Sequence, residues 1–284
     1  MGSMDLNSEA AEMGVLAGME AEKISWLQSA ELEFDMEITY QWMKSHRLHL
    51  LSIVGLYISA VFLVPVYMRN RRPVSCQWLS NIWNCLLASF SIYLFSHMTP
   101  EFIRSWHATG FHGSFCQADQ YYKGRHGFWV WLFHLSKLVE LGDTVFLLLK
   151  KRPVLFLHWY HHVVVLVDSW FSYVDAGGLT RWGTEMNLAV HSVMYTYFAV
   201  VGLWGRLPRW IAQLVTFMQI SQFVIGSTIC TYVFYQIVIL SNHSYCDVYV
   251  NAMSVHLLMY LSFLVLFCNF FYNAYLKRKE KKKD

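Results

Sequence analysis

Seven apolar runs, at about 48–68, 78–98, 127–149, 154–174, 183–204, 210–239 and 249–275, dominate this 284-residue chain. Each is close to the roughly 20 residues that an α-helix needs to cross the ~30 Å hydrocarbon core of a bilayer. The sixth is long enough to tilt or protrude. The interruptions are polar or carry Pro and Gly, as at Arg72-Pro73, Arg152-Pro153, Gly177-Gly178 and Leu207-Pro208, the punctuation expected of turns outside the hydrocarbon. Only 14% of residues are charged, against about 25% in soluble domains, which leaves no room for a large soluble domain. The expected fold is an all-α polytopic membrane protein of seven transmembrane helices. Six cysteines are scattered without a CxxC pair, which argues against a zinc ribbon, a thioredoxin-type site or a small disulfide scaffold.

The spans divide the chain into an N-terminal arm at 1–47, a seven-span unit at 48–275 and a basic tail at 276–284. The arm holds nine of the 19 acidic residues, lacks an apolar run long enough for a signal peptide, and turns amphipathic near Leu32 to Trp42. Cations mark one side of the spans. Arg69, Arg71 and Arg72, then Lys150, Lys151 and Arg152, then Arg206 and Arg209, then six in the tail make fourteen, against seven on the other side. Cytoplasmic loops carry the Lys/Arg excess, so the C-terminus is expected in the cytosol and the N-terminus across the membrane. The closing Lys281-Lys282-Lys283-Asp284 fits a dilysine signal for retrieval to the endoplasmic reticulum; a basic tail attracted to anionic lipid is the plainer alternative. On this topology Cys116 and Cys246 share a lumenal, oxidising compartment, where a Cys116–Cys246 disulfide is expected, with two free thiols as the alternative. Asn242-His243-Ser244 matches a glycosylation sequon by pattern, in a loop too short to favour its use.

Ionisable groups inside a bilayer cost about 2.5–3.5 kcal/mol each on insertion scales, so they face a protein interior or a wet cavity. Four consecutive spans carry such groups. Lys137, Glu140 and Asp143 with Thr144 form a slowly spiralling stripe in the third. His158, His161 and His162 share one face of the fourth. Asn187, His191 and Tyr195 repeat at i+4 in the fifth, and Thr216, Gln219 and Gln222 at i+3 in the sixth. Singly, each reads as interhelical hydrogen-bond glue, and Lys137–Glu140 as a structural ion pair. Together, four polar faces on adjacent spans point to one shared cavity.

Histidine clusters suggest metal first. A metal-dependent membrane oxidase or desaturase needs several histidine boxes, whereas this chain has a single HxxHH, and a zinc protease site would show HExxH. A receptor or transporter reading has only the span count in its favour. As organic catalysts the same groups are better matched: neutral imidazole is a nucleophile and base, Lys137 can balance a carboxylate or an oxyanion, Glu140 and Asp143 can orient histidines, and Asn187, Gln219 and Tyr195 can hydrogen-bond a thioester or enolate oxygen. That is a set of tools for acyl transfer.

Four motifs, Lys137-Leu-Val-Glu140-Leu-Gly-Asp143-Thr144, His158-Trp-Tyr-His161-His162, Asn187-Leu-Ala-Val-His191-Ser-Val-Met194-Tyr195 and Thr216-Phe-Met-Gln219-Ile-Ser-Gln222, resemble in order and spacing those of the very-long-chain fatty acid elongases. The resemblance covers about residues 32 to 280. One departure is Phe198, where many members have a second tyrosine. Lys151-Arg152-Pro153 ahead of the histidine box, with Gln41-Trp42-Met43 before the first span, is similar to the branch that elongates saturated and monounsaturated acyl groups such as palmitoyl.

The resemblance implies a multi-pass enzyme of the endoplasmic reticulum, with six helices in a barrel around an acyl tunnel and the first packed outside. It implies a 3-oxoacyl-CoA synthase that condenses acyl-CoA with malonyl-CoA and needs no metal or redox cofactor. Within that chemistry His161 is the expected nucleophile, and His158, His162 and His191 orient it and move protons. Asn187 and Gln219 are the expected oxyanion donors, Tyr195 and Gln222 the expected substrate contacts, and Lys137 balances Glu140, Asp143 or the malonyl carboxylate. Lys150, Lys151, Arg152, Arg206 and Arg209 are the candidates for the CoA phosphates, although topology alone accounts for them. Expected partners are a 3-ketoacyl-CoA reductase, a dehydratase, an enoyl reductase and membrane lipid, with homo- or hetero-oligomers open and no nucleic acid.

Overall fold

A computed structural model describes residues 27–242 and 246–277. Among them every regular element is helical: α1 Met36–Ser45, α2 Arg47–Met68, α3 Gln77–Cys116, α4 Gly124–Glu140, α5 Gly142–Leu149, α6 Phe156–Asp175, α7 Leu179–Trp204, α8 Arg209–Phe234 and α9 Val250–Phe271, the last two prolonged by π-helical turns at Tyr235–Ile239 and Tyr272–Leu276. Most of the acidic arm, the last two residues of the sequon and the dilysine tail lie outside the described residues.

Five helices are long and apolar enough to cross a membrane: α2, α3, α7, and α8 and α9 with their extensions. The two remaining expected spans differ for physical reasons. The run at 127–149 is interrupted at Leu141, leaving helices of 17 and 8 residues. The run at 154–174 is one 20-residue helix, made less apolar by His158, His161, His162 and Asp168. The second span is also longer than its apolar run. The helix continues past residue 98 through a polar stretch to Cys116, 40 residues in all, and bends where Gly110 adopts a φ of 71°, a conformation open to glycine at little cost.

α3 and α7 pack antiparallel, as two distant polar contacts show: Asn81 Nδ2 donates to the Gly202 carbonyl at one end and Thr99 Oγ1 to Glu185 at the other. α8 and α9 run antiparallel through Phe223–Phe263 stacking and a Thr216–Tyr275 contact. α6 lies against α9, with Tyr160 bonded to Ser262 and Ser172 to His256. The amphipathic segment becomes α1, capped by the Asp35 carboxylate on the Glu37 amide in the manner that satisfies an orphan N–H. It lies across the end of α6, where Trp170 donates to the Met43 carbonyl and Thr39 meets the Tyr173 hydroxyl. Just before it, Glu31 is buried against Arg125 and Trp129.

The sidedness is that of a membrane protein. Leu48, Leu51, Leu56, Phe62, Leu63 and Val66 of α2 are exposed, while Lys137, Glu140, Thr144, His162 and His191 are buried. Lipid solvates the former without cost, and the latter have each other.

At one end of the bundle three stretches meet. Cys116 and Cys246 form a disulfide, the Asp247 amide donates to the Cys116 carbonyl, and the Gly178 amide donates to the Asp247 carbonyl. Arg181 is 1% exposed; it bonds both Glu101 carboxylate oxygens at 3.1 Å and the carbonyls of Ser114, Gln117 and Ala118. One guanidinium thereby satisfies the carbonyls left over where α3 ends.

Candidate active site

The break at Leu141 divides the third stripe between two sets of partners. Before it, Lys137 and Glu140 face α7. Lys137 Nζ donates to Glu140 Oε1 and to Asn187 Oδ1, each at 2.7 Å, and lies 4.4 Å from the Phe133 ring centroid. Since the Asn187 oxygen accepts from Lys137, its amide nitrogen is the donor to His191 Nε2 at 3.2 Å. That fixes the His191 proton on Nδ1, which looks toward Glu140 Oε1 at 3.7 Å.

After the break, Asp143 accepts from Trp83 Nε1 at 2.7 Å and from the Tyr195 hydroxyl at 2.9 Å. Thr144 Oγ1 is 2.8 Å from both Tyr57 Oη and His158 Nε2. Gly142 allows this wall to close, because the Trp83 ring fills the space that a Cβ would occupy. Asp143 thus holds Tyr195, and Thr144 links the histidine box to the first span.

The box itself is split. His158 and His162 lie near each other, 4.5 Å between centroids with their rings tilted by 60°, on the side of Thr144 and Tyr57. His161 turns to the other side, against Phe263 and Phe267, and lines a cavity. No hydrogen bond joins its ring nitrogens to the described residues. Lys137, Asn187 and Gln222 share the cavity wall. Gln222 Oε1 is buried there without a hydrogen-bond partner among the described residues.

His158, His162, His191, Glu140, Asp143 and Tyr195 stand behind this wall. Gln219 also lies outside the lining, its amide nitrogen 3.2 Å from Met194 Sδ. The candidate phosphate-binding cations gather at the opposite end of the bundle from the disulfide. Lys151 bonds the carbonyls of Arg69 and Arg71, and Arg209 those of Ala274 and Tyr275. Lys150 sits 6.0 Å from the Phe146 ring centroid, while Arg152 and Arg206 are exposed.

Sequence reasoning missed three cavity residues, Asp168, Ser172 and His256. The first lies seven positions after His161, on the same helical face, and that spacing was the available signal. Among the described residues, one His/Cys/Asp/Glu group has metal-like spacing: His112, Cys116 and Cys246. Both of its sulfurs are joined in the disulfide.

Fold and site together define a class, a multi-pass helical membrane protein with a cavity bordered by histidines, a lysine and amides. The GNS1/SUR4 (ELO) family model matches residues 42–283. The chain is 39% identical to "Putative fatty acid elongase 3" of Caenorhabditis elegans, over 89% of this chain and 80% of that one. It is 38% identical to "Very long chain fatty acid elongase 6" of Drosophila melanogaster, over 89% and 80%, and 35% identical to the Homo sapiens protein of the same name, over 88% and 93%. The chain belongs to the GNS1/SUR4 family of fatty acid elongases.

Proposed function

We propose that this protein is the condensing enzyme of fatty acid elongation, a 3-oxoacyl-CoA synthase that joins a long-chain acyl-CoA to malonyl-CoA through an acyl-imidazole on His161. The observation that carries the reading is the orientation of His161, the one member of its box that faces the cavity, with both ring nitrogens uncommitted and Lys137 and Asn187 on the same wall.

In the first half-reaction a His161 nitrogen attacks the thioester carbonyl, the C–S bond breaks, and CoA leaves as the thiol. In the second, malonyl-CoA loses CO2, the resulting carbanion attacks the held acyl carbonyl, and the C–N bond breaks to return the imidazole. The product is two carbons longer. Asn187 and Gln222 are the amides on the wall beside the developing oxyanion; Gln219, behind it, supports Met194. The Lys137 charge favours the malonyl carboxylate and the enolate that follows. His158, His162 and His191, held by Thr144, by ring contact and by Asn187, orient the site and pass protons, and Asp143 holds Tyr195 at its edge.

Decarboxylation supplies the carbanion, so the mechanism calls on no metal or redox cofactor. Acyl-CoA and malonyl-CoA are the substrates, and the naming of the relatives as elongation enzymes supports this assignment. The reading extends to a seven-span unit at 48–275, in which α4 with α5 and α6 cross beside the five longer helices. Six spans enclose the tunnel and α2 lies outside. It also extends to residence in the endoplasmic reticulum, a lumenal N-terminus at 1–47, a cytosolic tail at 276–284, CoA phosphates near Lys150, Arg152 and Arg206, and work in series with a ketoacyl reductase, a dehydratase and an enoyl reductase. The Lys151-Arg152-Pro153 and Gln41-Trp42-Met43 segments support a palmitoyl-type acyl group.

The test is incubation with acyl-CoA alone, followed by intact mass and peptide mapping. The expected result is one acyl group on His161 with release of one CoA. Absence of the adduct in an enzyme that still turns radiolabelled malonyl-CoA into product would replace this route with a direct Claisen condensation in a single complex.

A further inference from the structure

The cavity has a second polar region, remote from the catalytic wall. His161 and Asp168 line it from α6, and Phe263 and His256 line it from antiparallel α9. Each pair is two helical turns apart, so Asp168 and His256 lie together about 10 Å from the His161 level along the bundle. Between the two levels the α6 and α9 side of the wall is apolar, with Val165 one turn from His161 and Met259 one turn from Phe263, while His134 and Thr184 line the cavity from α4 and α7. A hydrocarbon segment fits that interval, and a carboxylate–imidazole pair at its far end is costly to bury beside one.

The local bonding shows what is left unsatisfied. Ser172 Oγ has one proton, and its 2.6 Å contact with the Asp168 carbonyl takes it. The 2.7 Å contact between Ser172 Oγ and His256 Nε2 therefore has the imidazole as donor. The same Nε2 is 3.4 Å from Asp168 Oδ1. With Nε2 committed, Nδ1 remains, and it is buried with no hydrogen-bond partner among the described residues. Ser169, 7% exposed and also on the cavity wall, has an unpartnered Oγ. Interhelical glue between α6 and α9 accounts for Nε2 and Asp168, and leaves Nδ1 and the Ser169 hydroxyl unexplained. Nδ1 is an acceptor in the neutral ring and a donor in the charged one; a hydroxyl satisfies either, and pairs with Ser169 as well.

We propose that His256, Asp168, Ser172 and Ser169 form a subsite for a hydroxyl group carried on the acyl chain, so that the cavity takes hydroxylated acyl groups whose oxygen lies about two helical turns from the reacting carbonyl. The inference rests on the reading of the cavity as the acyl site. The imidazole replaces the water that such a hydroxyl loses on entry, whereas a hydroxyl held one turn nearer His161 on this side faces Val165 and Met259 and is penalised.

The experiment measures binding of palmitoyl-CoA and of monohydroxypalmitoyl-CoA isomers, with the hydroxyl moved stepwise from mid-chain to the end, to the purified full-length protein. Product formation with malonyl-CoA is followed in parallel. The expected profile is a maximum at one position or two adjacent ones, about tenfold above the other isomers. His256→Phe should flatten that profile, and His256→Asn, which keeps a polar atom near the Nδ1 position, should restore part of it. Because each protein is compared with itself across isomers, partial loss of folded material does not alter the result. A flat profile in the wild type, a maximum unchanged in His256→Phe, or a variant that changes only the longest unsubstituted chain accepted would each overturn the proposal. A positional maximum in binding without product from any acyl-CoA would leave the subsite standing and overturn the condensing-enzyme reading instead.

Discussion

Where α3 ends and α7 begins, a buried guanidinium bonds one carboxylate twice and three carbonyls, and a disulfide joins loops that are 130 residues apart in the chain. At the opposite end Arg152 and Arg206 are exposed, and Lys151 and Arg209 hold only neighbouring carbonyls. The first end is cross-braced through buried partners; at the second the cations are exposed. The difference teaches that cations of one type do two jobs in this fold. Arg181 is structural because its partners are buried with it, whereas the cations at the other end remain available to an anion that arrives from solvent.

Four variants put this contrast to work. His161→Ala, between the two ends, should lower condensation by about 10³-fold or more while leaving thermal unfolding in detergent nearly unchanged. A large loss of stability would mean that the histidine is a packing group instead. Arg181→Met, at the braced end, should cost about 3–5 kcal/mol, because it strands the Glu101 carboxylate and three carbonyls; denaturant titration reads this directly, and wild-type stability would dissolve the contrast. Cys246→Ser should cost about 2–4 kcal/mol by freeing the long loop in the unfolded chain, with the same loss when the wild type is reduced. At the opposite end, Arg152→Ala with Arg206→Ala should raise the acyl-CoA KM about two- to fivefold without a change in stability, an effect that shrinks as salt is added. Unchanged KM would make these cations markers of orientation only.

The readability of this molecule follows from the cost of polar groups in lipid. Lys137, Glu140, His158, His161, His162, Asn187 and His191 stand out because few polar residues are tolerated in such runs, and their grouping around one region was legible from spacing alone. Their partners were less so. Trp83 and Tyr57 read as membrane aromatics, yet they hold Asp143 and Thr144. Arg181 counted as one more loop cation, since nothing local in the sequence tells that Glu101 and the end of α3 converge on it. Asp168 and His256 are single polar residues in different spans, and only the packing of α6 on α9 makes them a pair. The continuation of α3 beyond residue 98 was hidden for the opposite reason. Its polar stretch resembles a loop in composition, but a helix that leaves the hydrocarbon needs no apolar face.

The Tyr57 hydroxyl has a consequence for how α2 sits in the bilayer. Its bond to Thr144 is the only side-chain hydrogen bond from α2 to another helix among the described residues, on a helix whose other inward contacts, Leu50, Val61 and Met68, are apolar. Tyr57→Phe should therefore cost only about 1 kcal/mol, read by denaturant titration. Depth is another matter. Hydrocarbon contacts are indifferent to a slide along the membrane normal, and this one bond is not. In a thinner or thicker bilayer α2 therefore accommodates the mismatch by tilting about its Tyr57–Thr144 contact rather than by moving up or down.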